Sequence, residues 1–178
     1  MLFGSPSKLS DGRYFLKITS DNGSRVIHQV NGVTMSGQVT LNVSSYTDFF
    51  SAIDETILAQ AKTSKVEWFG KEISDETVTS AYQKSVNPEG ELSASFATIK
   101  GENVTTAYDS QKNQIDVTTI EPSTPVDVFL ELIGLVFTKR AFEPVWKVIQ
   151  VRVKGPPKTR FPREYMFTDE ESEDDLDL

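Results

Sequence analysis

Three short segments near the start of the chain alternate apolar and polar residues, and this period of two commits the first part of the sequence to a sheet: Arg13 to Ile18 (RYFLKI), Arg25 to Val30 (RVIHQV) and Gln38 to Val43 (QVTLNV). In an extended strand successive side chains point to opposite faces, so alternation supplies one face for a core and one for water. The separators DNGS and NGVTMSG carry turn residues, which predicts a meander. Between Tyr46 and Lys62 the period changes. Phe49, Phe50, Ile53, Ile57, Leu58 and Ala61 fall three and four apart, as on one face of a helix, with Ser45 or Thr47 as its N-cap. Ser74 to Lys84 opens on Ser-Asp-Glu, a cap followed by acids at the positive end of a second, short helix that Asn87, Pro88 and Gly90 terminate.

The second half returns to strands at Leu92 to Lys100, Gln114 to Ile120, Val126 to Thr138 and Val145 to Lys154, joined by polar loops, GENVTTAYDSQKN and EPSTP. About seven strands with one or two helices make a mainly β domain, which residues 1–154 are long enough to close around one core. Pro156, Pro157 and Pro162 break regular structure, so residues 155–168 read as an extended basic arm. Residues 169–178, DEESEDDLDL, read as a disordered acidic tail.

The formal charge of −8 hides a polarity. Lys139 to Arg163 holds eight Lys or Arg and one acid, Glu143, a net +7, and it runs directly toward a tail with seven acids. Residues 1–168 carry 18 basic and 19 acidic groups, so the body is almost neutral. Clustered Lys and Arg are the footprint of phosphate binding, and a polyanion beside them imitates a nucleic-acid backbone.

Catalytic chemistry finds little to work with. Without cysteine there are no disulfides, thiol nucleophiles or thiolate zinc sites, which fits a reducing compartment. No charged leader precedes an apolar run and no stretch approaches a membrane span, which predicts a soluble intracellular protein without a membrane partner. The three glycosylation-type triplets at Asn22, Asn42 and Asn103 are then chance matches. His28 lies mid-strand between Val26 and Val30 and reads as a half-buried strand histidine. No nucleophile elbow, phosphate loop or HExxH occurs, so no enzyme, no metal and no cofactor is expected. Asp54, Glu55, Asp75 and Glu76 read as solvated helix surface.

Binding to single strands needs cations along a backbone path and aromatic faces for bases, and these interleave here. Arg13, Phe15 and Lys17 share one face of the first strand, opposite Tyr14, Leu16 and Ile18, which read as buried. On the last strand alternation puts Trp146, Val148, Gln150 and Arg152 on one face, with Trp146 and Arg152 exposed, and Val145, Lys147, Ile149, Val151 and Val153 on the core face, with Lys147 near the strand end where it reaches water. Phe142, Lys139 and Arg140 lie at a hairpin connection, and Lys154, Lys158, Arg160 and Arg163 continue the basic strip. Trp68 and Phe69, beside Lys65 and Lys71, form a weaker group of the same kind. A solvated sheet edge accounts equally for such lysines.

The hairpin VDVFLELIGLVFTKRAFEPVWKVIQVRVK, with the proline-rich basic arm and the terminal DEESEDDLDL, resembles the C-terminal half of single-stranded DNA-binding proteins of phages and large DNA viruses. The resemblance covers about fifty residues, and the tail ends in Leu-Asp-Leu where many relatives carry a terminal aromatic. It implies an OB-like β-barrel with inserted helices that coats unwound DNA in replication, recombination and repair. It further implies that the tail (Asp169, Glu170, Glu171, Glu173, Asp174, Asp175, Asp177 and Leu178) recruits replication proteins and competes with DNA for the groove. The alternative is a protein-interaction or virion scaffold module whose tail binds a basic partner.

Overall fold

The computed structural model describes residues 1–37 and 39–155. The alternating segments form β1 (Tyr14–Thr19), β2 (Val26–Ser36) and β3 (Thr40–Asn42). The helical period becomes α1 (Thr47–Thr63), entered through a 3-10 turn at Ser44–Tyr46 rather than a side-chain cap. It continues into α2 (Lys65–Phe69), a helix the periodicity did not predict, and α3 (Asp75–Ala81). Ser74 caps α3 as expected, its Oγ accepting the Thr77 amide at 3.2 Å. There follow β4 (Glu91–Ser93), β5 (Ser95–Phe96), β6 (Thr106–Tyr108), β7 (Gln114–Ile115), β8 (Pro125–Phe137) and β9 (Phe142–Val153).

Several sequence readings are corrected. The stretch NGVTMSG, read as a turn separator, is strand as far as Ser36. The strand expected over Leu92 to Lys100 is broken into β4, β5 and the short Thr98–Ile99. The strand expected over Gln114 to Ile120 stops at Ile115, because Asp116 accepts the Thr118 amide at 2.9 Å and starts a 3-10 turn. The stretch read as one long loop contains β6 and half of a small hairpin, Thr98–Ile99 with Glu102–Asn103.

The strand pairing closes on itself. β2 pairs antiparallel with β3, β3 with β4, and β5, one residue on, pairs in parallel with β9 at Lys147 and Val148. β9 pairs antiparallel with β8, and β8 with β2. With β4 and β5 counted as one interrupted strand, five strands form a ring in the order first, second, third, fifth, fourth. This is the Greek-key topology of OB barrels, as the sequence reading expected. The helices are inserted between its second and third strands.

The hairpin β8–β9 forms most of the wall, and it carries two bulges. Ile149 is an extra residue in β9, between the Leu130–Val148 and Phe129–Gln150 pairs, and Ile133 is an extra residue in β8, between Leu132–Trp146 and Gly134–Val145. Each extra residue reverses the facing of every position beyond it. In β9 the buried set is therefore Phe142, Trp146 and Val148 before the bulge and Val151 after it. Helix α1 covers the barrel interior, setting Phe50 edge-on to Trp146 at 5.3 Å.

One buried polar cluster ties these parts together. Asp54 of α1 accepts the Tyr82 hydroxyl at 2.7 Å, the Ser85 hydroxyl at 2.7 Å and the Ser85 amide at 3.1 Å. Ser85 Oγ in turn accepts the Trp146 indole N–H at 3.2 Å. Asp54 is thus not the solvated helix acid the sequence suggested; it sits at 4 % exposure. Asp54→Ala strands three buried donors and is expected to cost about 3 kcal/mol, read as a lowered urea midpoint with unchanged slope.

Candidate functional site

The β8–β9 hairpin is longer than the barrel wall needs, and its outer end projects past the ring. There β1 pairs along β8, from Lys17 opposite Gly134 to Tyr14 opposite Phe137. The closeness of this approach requires glycine: a Cβ on Gly134 would lie 2.1 Å from the Leu16 carbonyl oxygen and 2.5 Å from the Phe15 ring. Helix α2 lies across the projecting end with its two rings. Phe137 and Phe142 stack 5.4 Å apart and nearly parallel, Phe69 meets them edge-on at 5.8 and 5.4 Å, and Trp68 meets Phe137 at 6.0 Å.

Against this layer opens a groove of about 550 Å³, lined by Tyr14, Phe69, Phe137 and Phe142 and bordered by Lys71, Lys139, Arg140 and Glu67. Lys139 and Arg140 stand exposed in the connection between β8 and β9. Tyr14 presents 46 % of its surface, whereas the sequence placed it in the core with Leu16 and Ile18. The alternation is correct and Leu16 and Ile18 are buried. Tyr14 faces the same side, but it sits beyond the barrel, where that side opens on the groove.

Two expected stacking rings are corrected. Trp146 is 2 % exposed, because the bulge at Ile149 reverses the alternation that assigned it to the face of Arg152. Phe142, at 1 %, forms the floor of the groove rather than a free face. Phe15 is half-buried, its ring against the bare backbone of Gly134, while Arg13 and Lys17 on the same strand face are exposed. Arg13 is ion-paired to Asp11 at 2.6 Å.

The basic segment does not form one patch. Arg152 lies ten residues along β9 from Phe142, about 30 Å away at strand rise. There it pairs with Asp127 at 2.5 Å, and Lys154 approaches the same carboxylate at 3.8 Å. Burial raises the Asp127 pKa, but the Arg152 hydrogen bond, the Gly32 amide and Lys154 outweigh it and hold the carboxyl below its ordinary value. These two cations are therefore partly neutralised within the fold. Lys158, Arg160, Arg163 and the tail from Asp169 to Leu178 lie outside the described residues.

Among the described residues no three His, Asp or Glu converge as a metal site, and no helix is long and apolar enough to cross a membrane. A model of the family described as "Family of unknown function (DUF5871)" matches residues 25–169. No curated protein matches the sequence. Among solved structures, the single-stranded DNA-binding protein from bacteriophage Enc34 is similar over 88 % of this chain and 91 % of that one, at 11 % identity and a TM-score of 0.47. At that score the likeness is too loose to bear on function.

His28 points inward, edge-on to Phe49 at 4.9 Å and 6.3 Å from Trp146, the half-buried strand histidine the sequence suggested. Burial lowers its pKa, so the folded state disfavours the proton that the unfolded chain accepts below about 6.5. Stability is complete above that pH and declines as pH falls through it. The melting temperature is expected to drop between about pH 7 and pH 5, and His28→Phe should flatten that part of the profile; an equal slope in both proteins would remove His28 as its cause.

Proposed function

The chain belongs to the family of unknown function whose model matches residues 25–169, and from the geometry of its groove we propose that it is a non-enzymatic, sequence-nonspecific single-stranded DNA-binding protein. The observation that carries the reading is the groove at the hairpin tip, where an exposed ring and three cations meet on a barrel of OB topology. Unpaired bases offer faces for stacking that a duplex hides, and every base has one, so sequence preference is weak. Tyr14 supplies the stacking face; Lys71, Lys139 and Arg140 take the phosphates. Glu67, which accepts the Ser5 hydroxyl at 2.8 Å, repels phosphate from the α2 side and steers the backbone toward the hairpin. In this reading the protein coats unwound DNA in replication, recombination and repair. The tail then recruits replication proteins and competes with DNA for the cationic groove.

Tyr14→Ala is expected to weaken binding to an oligothymidylate by about 1–3 kcal/mol in fluorescence anisotropy, with the fold intact. Trp146→Ala should instead lower stability by about 3–5 kcal/mol. Duplex bound as tightly as single strand would falsify the stacking mechanism. Neutralising Lys139 and Arg140 together should reduce the slope of log affinity against log salt by about 1.4, at about 0.7 per phosphate contact.

Deleting residues 169–178 removes seven acids tethered near the +7 segment. The truncated protein is expected to bind DNA more tightly at low salt, with the gain shrinking as salt screens both interactions over about 10 Å at 0.1 M. Equal affinity at low salt would eliminate the competition.

A further inference from the structure

The two faces of the projecting hairpin are not equivalent to solvent, and both are grooved. Tyr14 and Phe15 are successive residues of β1, so their side chains leave the sheet in opposite directions. Tyr14 faces the groove described above. Phe15 faces a second one of about 500 Å³, whose lining includes Ile133 and Val145 as apolar wall and Lys84 and Lys147 as cations beside the Asp11-paired Arg13, against one acid, Glu143. Among the described residues neither Lys84 nor Lys147 is ion-paired; Lys147 Nζ donates only to the Phe96 carbonyl, at 3.3 Å. This groove thus repeats the chemistry of the first, with a ring, an apolar wall and an excess of positive charge.

Both sides of the projecting hairpin are widened by further paired chain. On one side Ser7 and Lys8 pair with β1, and on the other the chain at Tyr82 and Gln83 pairs with Phe142 of β9. The end of the hairpin is the route between the grooves that carries cations, with Lys139 and Arg140 standing on it, exposed. Arg13, immediately before the adjoining strand, lines the second groove.

We propose that one DNA single strand runs from the first groove around the hairpin tip into the second, so that the tip is a post about which the strand turns. The inference rests on the reading of the first groove and adds a binding site to it. A strand long enough to turn the tip contacts Lys84, Lys147 and Phe15; a strand that only fills the first groove does not.

The test uses the full chain and fluorescein-labelled oligothymidylates of about 4 and about 12 nucleotides, lengths within the about 4–16 that an OB fold covers. Lys84→Ala, and separately Phe15→Leu, which keeps apolar volume beside Gly134 but removes the aromatic face, are expected to weaken the longer oligonucleotide about fivefold or more. Their effect on the shorter one should stay under about twofold, and Lys84→Ala should flatten the salt slope by about 0.7 for the longer one alone. Circular dichroism melts confirm that the variants fold. Loss of equal size at both lengths, or no loss at either, overturns the second groove. Tyr14→Ala is measured in parallel on the shorter oligonucleotide. If Tyr14→Ala leaves that affinity intact, the first groove is refuted, whatever Lys84→Ala does to the longer strand.

Discussion

Two extra residues, Ile133 in β8 and Ile149 in β9, decide which way the hairpin that builds the barrel wall faces. Without them, thirteen and twelve residues of regular alternation would keep one face inward from end to end. With them, the part of β9 nearest α1 turns Trp146 into the barrel while the far part turns Arg152 out. Bulges also bend and twist a strand, which a five-membered ring needs in order to close. The parallel contact between β5 and β9, the placement of α1 over Trp146, and the Asp54 cluster that joins them all follow from that reversed facing.

The length left over after ring closure becomes the candidate site. A projecting hairpin would expose apolar surface on both faces, and here each face is managed differently. On one, α2 brings Trp68 and Phe69 over the Phe137–Phe142 pair and leaves a ring-floored groove. On the other, Phe15 lies over the gap left by the missing side chain of Gly134. The large rings at the tip thus serve packing, and what they leave for a ligand is their surroundings: Tyr14 at the groove wall and the cations of the connecting turn.

Much of this architecture was legible in the sequence. Periodicity located β1, the first half of β2, α1 and the long hairpin because each is long enough for a period to repeat, but Asn31 and Gly32 disguised the second half of β2 as a turn. It did not locate α2, whose five residues cover little more than one turn, or β6, which is held by pairing with β9 rather than by its own pattern. The site was less legible, for one physical reason. Alternation tells which residues share a face but not where a bulge interrupts the count, so Arg152 was placed outward correctly and Trp146 was not. Tyr14 was missed because its face is core for Leu16 and open groove two residues earlier. Lys84 carried no local signal at all; only the pairing of Gln83 with Phe142 brings it beside β9. Asp54 looked like surface because its partners, Tyr82 and Ser85, come from a different part of the chain.

The closure of the ring also dictates an order of assembly. β9 is the last strand described, yet it pairs with β5, β6 and β8, and β8 in turn holds β1 and β2. A chain emerging from the ribosome can make α1 and the β2–β3 meander early, but these have no partner across the barrel until the hairpin arrives. Their apolar faces then wait in the open, and the contacts that finally cover them join segments far apart in sequence, the kind that close slowly. In such a topology the apolar faces of the early elements find their partners only once β8 and β9 are present, so the barrel is completed by its last hairpin.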